Sequence, residues 1–546
     1  MDECFRYTHS TPNMEIGFKA LDDKSHWQPQ NVCQRTRAGA GYALPRLRRR
    51  DIVSRLMFCY RDGIDHHPVP CVADRIPDAE ASRLHALDAL RGLSILLMVF
   101  SGRIPFGVLP EWMYHAQVPP PNHVFNPNLP GITWVDLVFP FFLFTMGAAI
   151  PFALGRRIER GDSIWKLSAY ILQRGFLLAA FAIYVMHIRP WLLSDAPRAS
   201  DWLFALLGFF LLFPMLAAVP AHWRPATRVA VRCIGWIGAA LLLGTVRYAD
   251  GSGFSLSRSD IIILVLSNVA VAGSFIWLWT RTRVLLRIGL LGVLLALRLT
   301  HGDEGVGKWL WEISPMPWLF QTRFLQYLFI TIPGTMVGDL LSRWMKDRHA
   351  GNDTAPWSRP RYAHVAVWMV ILNVVTVIGL KQRFVVETTV LVLILCILVA
   401  VLMRKPLHPT DTLLQKLFSW GFFLLLLGLA FEPYEGGIKK DHATMSYYFV
   451  TTGLAIFMLI AFIVVFDVLR WKRGFGLIIR AGQNPLVAYA GVNSLVPPIF
   501  GITGLDGVLA ALTPTPWLGV ARGAFYTYLV ALASAFCAKK KIFLKT

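Results

Sequence analysis

From Leu84 almost to the C-terminus, apolar runs of roughly 17 to 25 residues alternate with short polar connections, the repeat length of helices that cross a bilayer. The pattern predicts helices over 86–104, 134–154, 164–186, 201–219, 228–246, 259–279, 283–299, 321–342, 363–380, 384–403, 414–431, 445–469, 484–502 and 520–538. Three of these (283–299, 363–380 and 484–502) are short or interrupted, so 11 to 14 transmembrane helices are expected. The fold class is therefore all-α, a polytopic integral membrane helical bundle. Residues 1–83 break the pattern. They carry a basic cluster, Arg46 to Arg50, but no apolar run longer than a few residues. No h-region follows the cluster, so this is not a signal peptide. It reads as a disordered basic extension, or as sequence ahead of the true start, leaving 84–540 as the transmembrane domain.

Composition agrees. The chain is 55% hydrophobic and 16% charged, with mean hydropathy +0.49, where a soluble domain carries about 25% charged residues. The net charge of +21 does not indicate nucleic-acid binding, because the cations sit in alternate short connections. These include Arg156/Arg157/Arg160, Arg281/Arg283, Arg343/Lys346/Arg348, Arg470/Lys472/Arg473 and the tail Lys539–Lys541. By the positive-inside rule both termini are cytoplasmic and the loop 105–131 faces the other side. Four of the seven cysteines fall before residue 84, and no Cys-x-x-Cys or metal-ligand spacing occurs. Isolated thiols, no structural disulfide and no metal are expected. The two halves share no polar signature, which disfavours the repeat-built transporter folds.

Polar residues at the ends of apolar runs are where chemistry is sought, since they are costly in a membrane. In LDALRGLSILLMVF, Asp88 and Arg91 lie three apart on one helical face, spaced to pair with each other or to offer a guanidinium to a cofactor phosphate. The proline-rich loop 105–131 carries His115 and His123, and Asp136 opens the next run in PGITWVDLVFPFFLFTMG. An imidazole titrates near neutrality and suits general-base or acyl-relay work, and Asp136 can orient it as the acid of a triad does. Further polar islands are Arg323 to Asp339 with Pro333-Gly334, read as a kinked or broken helix or as close helix packing, and Lys439–His442 followed by Ser446 and Tyr447. Asn484 before Pro485 caps or interrupts a helix, and Asn268 is a lone amide able to bridge helices.

These motifs, in this order, resemble the family of heparan-alpha-glucosaminide N-acetyltransferase, transmembrane acyltransferases that pass an acetyl group across a membrane to a sugar. The resemblance spans roughly 84–540. It rests on LDALRGLSILLMVF, on PGITWVDLVFPFFLFTMG as the most specific match, on KKDHATMSYYFVTTGL and on GQNPLVAY. It implies acetyl-CoA bound from the cytoplasmic side, with Asp88 and Arg91 as cofactor-binding residues. It further implies a loop histidine serving transfer on the far side, with Lys440, Ser446, Tyr447 and Asn484 toward the substrate. This chain departs from the pattern in two places. Its loop is longer and offers two histidines, His115 by local match and His123 by distance to Gly131. Ser101-Gly102 also stands where the family tends to have an asparagine.

The function expected is acetyl transfer from acetyl-CoA to a sugar hydroxyl or amine on the extracytoplasmic side, in a bacterial inner membrane, with His115, His123 and Asp136 as catalytic candidates. The partners expected are acetyl-CoA, a sugar or glycan acceptor and membrane lipids, with self-association left open and nucleic acid excluded. The alternative is a transporter or flippase for a sugar or lipid-linked glycan, motivated by prolines inside spans. The broader O-acyltransferase families place a histidine inside the first span, and none occurs between Arg91 and Ile104.

Overall fold

The computed structural model describes residues 83–545 apart from 108, 221, 303 and 348–354. The expected extension before residue 83 lies outside the described residues. The described residues form the expected all-α bundle, and among them twelve helices are long and apolar enough to cross a membrane. Two more, α1 (His85–Ser101) and Val284–Thr300, have 17 residues each and span about 25 Å at 1.5 Å per residue. They occupy the two expected positions missing from the twelve.

Connections fall at two ends. At one lie the long loop between α1 and α2 (Trp134–Glu159) and the loop before the helix Met445–Phe462. Ion pairs join this loop end: Lys381 to Glu111 at 2.7 Å, Arg383 to Glu432 at 2.5 Å and Arg298 to Glu435 at 2.6 Å. The other end gathers the basic connections and is joined by Lys346 to Glu159 at 2.6 Å.

The bundle is layered by burial. Met445–Phe462 is buried along nearly its whole length and forms the central axis. Val385–Leu402 turns Val386, Val390, Ile394, Ile397 and Leu398 outward, as a helix does when its outer solvent is lipid. Inner helices approach closely through glycines. A Cβ on Gly334 would stand 2.6 Å from the Phe144 carbonyl oxygen, and one on Gly92 would run into the carbonyl of Ile478. The small residues near Pro333 thus serve close packing, and Leu328–Asp347 continues through that proline without a break. At Pro485 the expected interruption is real: Gly476–Gln483 ends and Pro485–Ser494 begins on either side of Asn484. Asn268 bridges as foreseen, donating to Leu264 O and Leu319 O, both at 2.8 Å. Among the described residues Cys233, Cys396 and Cys537 are free thiols.

Candidate active site

Asp136 organises the loop end, and its helix cap explains how. Thr133 is the N-cap of α2, and its Oγ1 accepts from Val135 N. Asp136, three residues on, accepts from Thr133 N at 2.9 Å through Oδ2, the return bond of a capping box. The same cap grips the loop on both sides of His115. Thr133 Oγ1 donates to Tyr114 O at 2.7 Å, and Ala116 N donates to Asp136 Oδ2 at 3.3 Å. The second carboxylate oxygen takes the ring: His115 Nδ1 donates to Asp136 Oδ1 at 2.6 Å. Asp136 is fully buried, while the His115 side chain keeps 35% of its surface open. With Nδ1 donating to a carboxylate, Nε2 carries the lone pair, the tautomer a general base or nucleophile needs.

The backbone carbonyl of Asp136 is also committed. In a regular helix it would accept from residue 140, but that residue is Pro140, which has no N–H. Tyr447 OH fills the vacancy at 2.8 Å and ties the central helix to the first turn of α2. The proline in Asp-Leu-Val-Phe-Pro thus frees the carbonyl that Tyr447 holds.

Lys440 completes the cluster from the loop before the central helix. Its Nζ lies 3.2 Å from His115 Nδ1 and 3.1 Å from Nε2. Near-equal distances to the two nitrogens that flank Cε1 place the ammonium over the imidazole face, because in the ring plane it would collide with that carbon. The Nε2 lone pair is therefore not consumed by Lys440. Two acids hold the loop that carries it. Glu435 accepts from Arg298 and from Met445 N at 2.8 Å, and Glu432 accepts from Arg383 and from Ile438 N at 3.3 Å. Ile438 O accepts from Gly131 N at 2.7 Å, which joins the Lys440 loop to the His115 loop directly. Ser446 Oγ and Tyr448 OH, at the head of the central helix, are buried without a hydrogen-bond partner among the described residues.

The remaining site candidates are placed elsewhere. His123 spends both ring nitrogens inside its own loop, Nε2 accepting from Gly107 N at 2.9 Å and Nδ1 donating to Val118 O at 3.3 Å. It also packs edge-on against Phe106 and Tyr114. Asn484 lies at the basic end, where it donates to Ile542 O at 2.8 Å and accepts from Leu544 N at 3.2 Å, fastening the C-terminal tail. Asp88 and Arg91, also toward that end, do not pair with each other, the first of the two readings their spacing allowed. Asp88 accepts from Arg83 Nε at 2.9 Å, just ahead of the helix, and Arg91 reaches across to Thr145 O at 3.2 Å. The structure thus brings together His115, Asp136, Lys440 and Tyr447, with Ser446 beside them in sequence. Thr133, Arg298 and Glu435 were not foreseen. Thr-x-x-Asp at 133–136 carries the capping-box signal, whereas nothing in the sequence links Arg298 to Glu435.

Residues 83–341 match a family described as a domain of unknown function (DUF5009). The mouse (Mus musculus) heparan-alpha-glucosaminide N-acetyltransferase is 32% identical over 121 residues, covering 22% of this chain and 16% of that enzyme. The human (Homo sapiens) enzyme is 34% identical over 106 residues, 19% of this chain and 14% of its own length. The chain is similar to heparan-alpha-glucosaminide N-acetyltransferase. The resemblance read from the four motifs is borne out, over matched segments that span about a sixth of the length of these relatives. Among the described residues no group of three or more His, Cys, Asp or Glu side chains is arranged to hold a metal ion.

Proposed function

We propose that the protein is a membrane acetyltransferase that moves an acetyl group from acetyl-CoA to a sugar hydroxyl or amine. The observation that carries the reading is the His115–Asp136 pair, with the open face of the imidazole at the loop end and Lys440 above it. In this reading Nε2 of His115 removes the proton from the acceptor hydroxyl or amine as its oxygen or nitrogen attacks the thioester carbonyl. The C–S bond breaks and the proton passes to the departing sulfur, giving free coenzyme and the acetylated acceptor. If His115 itself is the nucleophile, the acetyl group rests on Nε2 before the acceptor takes it. Asp136 holds the tautomer and balances the imidazolium that forms. Lys440 meets the negative charge that develops on the carbonyl oxygen.

Ser446 and Tyr447 are assigned to the acceptor side with Lys440, and Asn484 to anchoring the tail. Arg91 is assigned to a donor phosphate, with Asp88 holding Arg83 beside it. The basic end is taken as cytoplasmic, which puts donor entry there, transfer on the far side and both termini inside, in a bacterial inner membrane. The similarity to the two acetyltransferases supports the reaction class. The transporter alternative loses one of its motives, since Pro333 leaves its helix unbroken.

The test is incubation of detergent-purified protein with radiolabelled acetyl-CoA, comparing wild type with His115→Ala and His123→Ala. Label on the protein or coenzyme release that depends on His115 alone supports the reading. Two fully active variants would remove the histidine mechanism, and transport without any coenzyme requirement would put the alternative first.

A further inference from the structure

A cavity of about 710 Å³ opens at the basic end, between the start of α1, the end of Leu328–Asp347, the starts of Arg359–Lys381 and Pro409–Ala430, and the end of the central helix. Along the central helix it lies 20 residues from Tyr447, about 30 Å from the His115 cluster at 1.5 Å per residue. Its volume falls in the range of small-molecule sites, roughly 300–1,000 Å³.

The lining is one-sided in charge. Arg83, Arg359, Arg470 and Lys472 face it together with His85 and His408, against a single acid, Asp467. That acid is already committed: its two oxygens accept from the first N–H groups of α1, His85 N at 3.3 Å and Ala86 N at 2.9 Å. Arg359, Arg470 and Lys472 have no side-chain partner among the described residues. Cations at the cytoplasmic rim of a membrane protein ordinarily face headgroups or water, and their presence alone would carry nothing. Here they line one cavity together with an apolar wall that includes Trp344, Pro356, Trp357, Val468 and Leu469. Trp344 and Trp357 line it, and each has its indole N–H bonded to the protein, to Thr410 Oγ1 at 3.2 Å and to Lys405 O at 3.4 Å. Both indoles are buried, and the Arg361 guanidinium lies over the Trp357 ring at 4.3 Å, so they form a fixed back wall behind the more open Pro356, Val468 and Leu469.

We infer that this cavity binds a phosphate-bearing ligand, its phosphates met by Arg359, Arg470 and Lys472 and its organic body laid against the apolar wall of Pro356, Val468 and Leu469. Guanidinium groups bind phosphate through paired, charge-assisted hydrogen bonds, and three converging cations suit more than one phosphate charge. The volume is too large for a free phosphate ion and suits a phosphate joined to a nucleoside or a glycerol. Two sources share this chemistry: the nucleotide end of a coenzyme such as the donor proposed above, and the headgroup of an anionic phospholipid. The inference does not depend on the proposed reaction, because its readout is binding.

The experiment uses the full chain in nanodiscs. Adenosine 3′,5′-bisphosphate is titrated by calorimetry in phosphatidylcholine discs, and retention of phosphatidylglycerol is followed by native mass spectrometry in mixed discs. Arg359→Glu combined with Arg470→Glu should weaken whichever probe the wild type binds by about tenfold or more, as loss of charge-assisted bonds to phosphate requires. Arg359→Lys should retain most of the binding, and both positions are exposed, so folding is expected to survive. Loss confined to the bisphosphate assigns the cavity to a nucleotide, and loss confined to the lipid assigns it to a headgroup. Wild type that binds neither probe saturably, or a double variant that binds both as tightly as wild type, would overturn the inference.

Discussion

The loop between α1 and α2 contains two histidines eight residues apart, and the protein uses them in opposite ways. His115 gives one nitrogen to a fully buried carboxylate while its side chain stays 35% exposed, with Lys440 Nζ 3.1 Å from the other nitrogen. His123 turns both nitrogens to the backbone of its own loop and buries its edges against Phe106 and Tyr114. A histidine's chemistry depends on what its second nitrogen is left free to do. That is settled by neighbours distant in sequence: Asp136 for His115, Gly107 for His123.

The largest effect is expected at His115 itself. His115→Ala should lower acetyl transfer by about 10²–10⁴-fold, the usual worth of a positioned acid–base group, with the thermal midpoint little changed. A variant that keeps full activity would reduce this histidine to the status of His123. Asp136→Asn should come next. It preserves an oxygen for the cap but gives up the charge that holds the imidazole tautomer, so transfer should fall by about 10²-fold or more in the same assay. Single-turnover measurements should place that loss in the chemical step and leave donor affinity unchanged.

The Lys440 clamp is a smaller lever. Glu435→Gln should leave Arg298 partly unpaired and loosen the loop, lowering transfer by about tenfold while donor binding stays constant, the sign of misplacement rather than lost recognition. Tyr447→Phe tests the architecture. It strips the hydroxyl that donates to the Asp136 carbonyl and should cost about 1–3 kcal/mol of stability, read as a lowered unfolding midpoint in detergent. His123→Ala closes the series. It should cost about 1 kcal/mol of stability from its lost hydrogen bonds and change transfer by no more than about twofold. A larger loss of transfer there would merge the two histidines into one functional unit.

Much of this was legible in the residue pattern. Helices of spanning length announce themselves because every backbone group inside a bilayer must be satisfied within its own segment, so apolar length alone identifies them. Pro485 was legible as an interruption for a similar reason: a missing N–H is a local fact. Pro333 shows the limit, since a proline deep in the packed bundle is carried through without a break. Asp88 and Arg91 show it again. Spacing of three permits a pair, but Arg83 and the Thr145 carbonyl were nearer partners once α1 was packed. Asn484 read as a substrate residue because it matched a motif, and the folded chain uses it to hold the tail.

By itself, then, the sequence determined the membrane-spanning class, the positions of the helices, and the alternation of basic and less basic connections. These follow from local physics: hydropathy over a bilayer's thickness, a missing N–H, a Thr-x-x-Asp cap. Only the tertiary structure paired His115, and not His123, with Asp136, set Lys440 on the ring face, gave the Asp136 carbonyl to Tyr447 and gathered Arg359, Arg470 and Lys472 around one cavity. Each of these joins residues tens to hundreds of positions apart. Such contacts are decided by which helix faces meet in three dimensions, and no spacing along the chain encodes that.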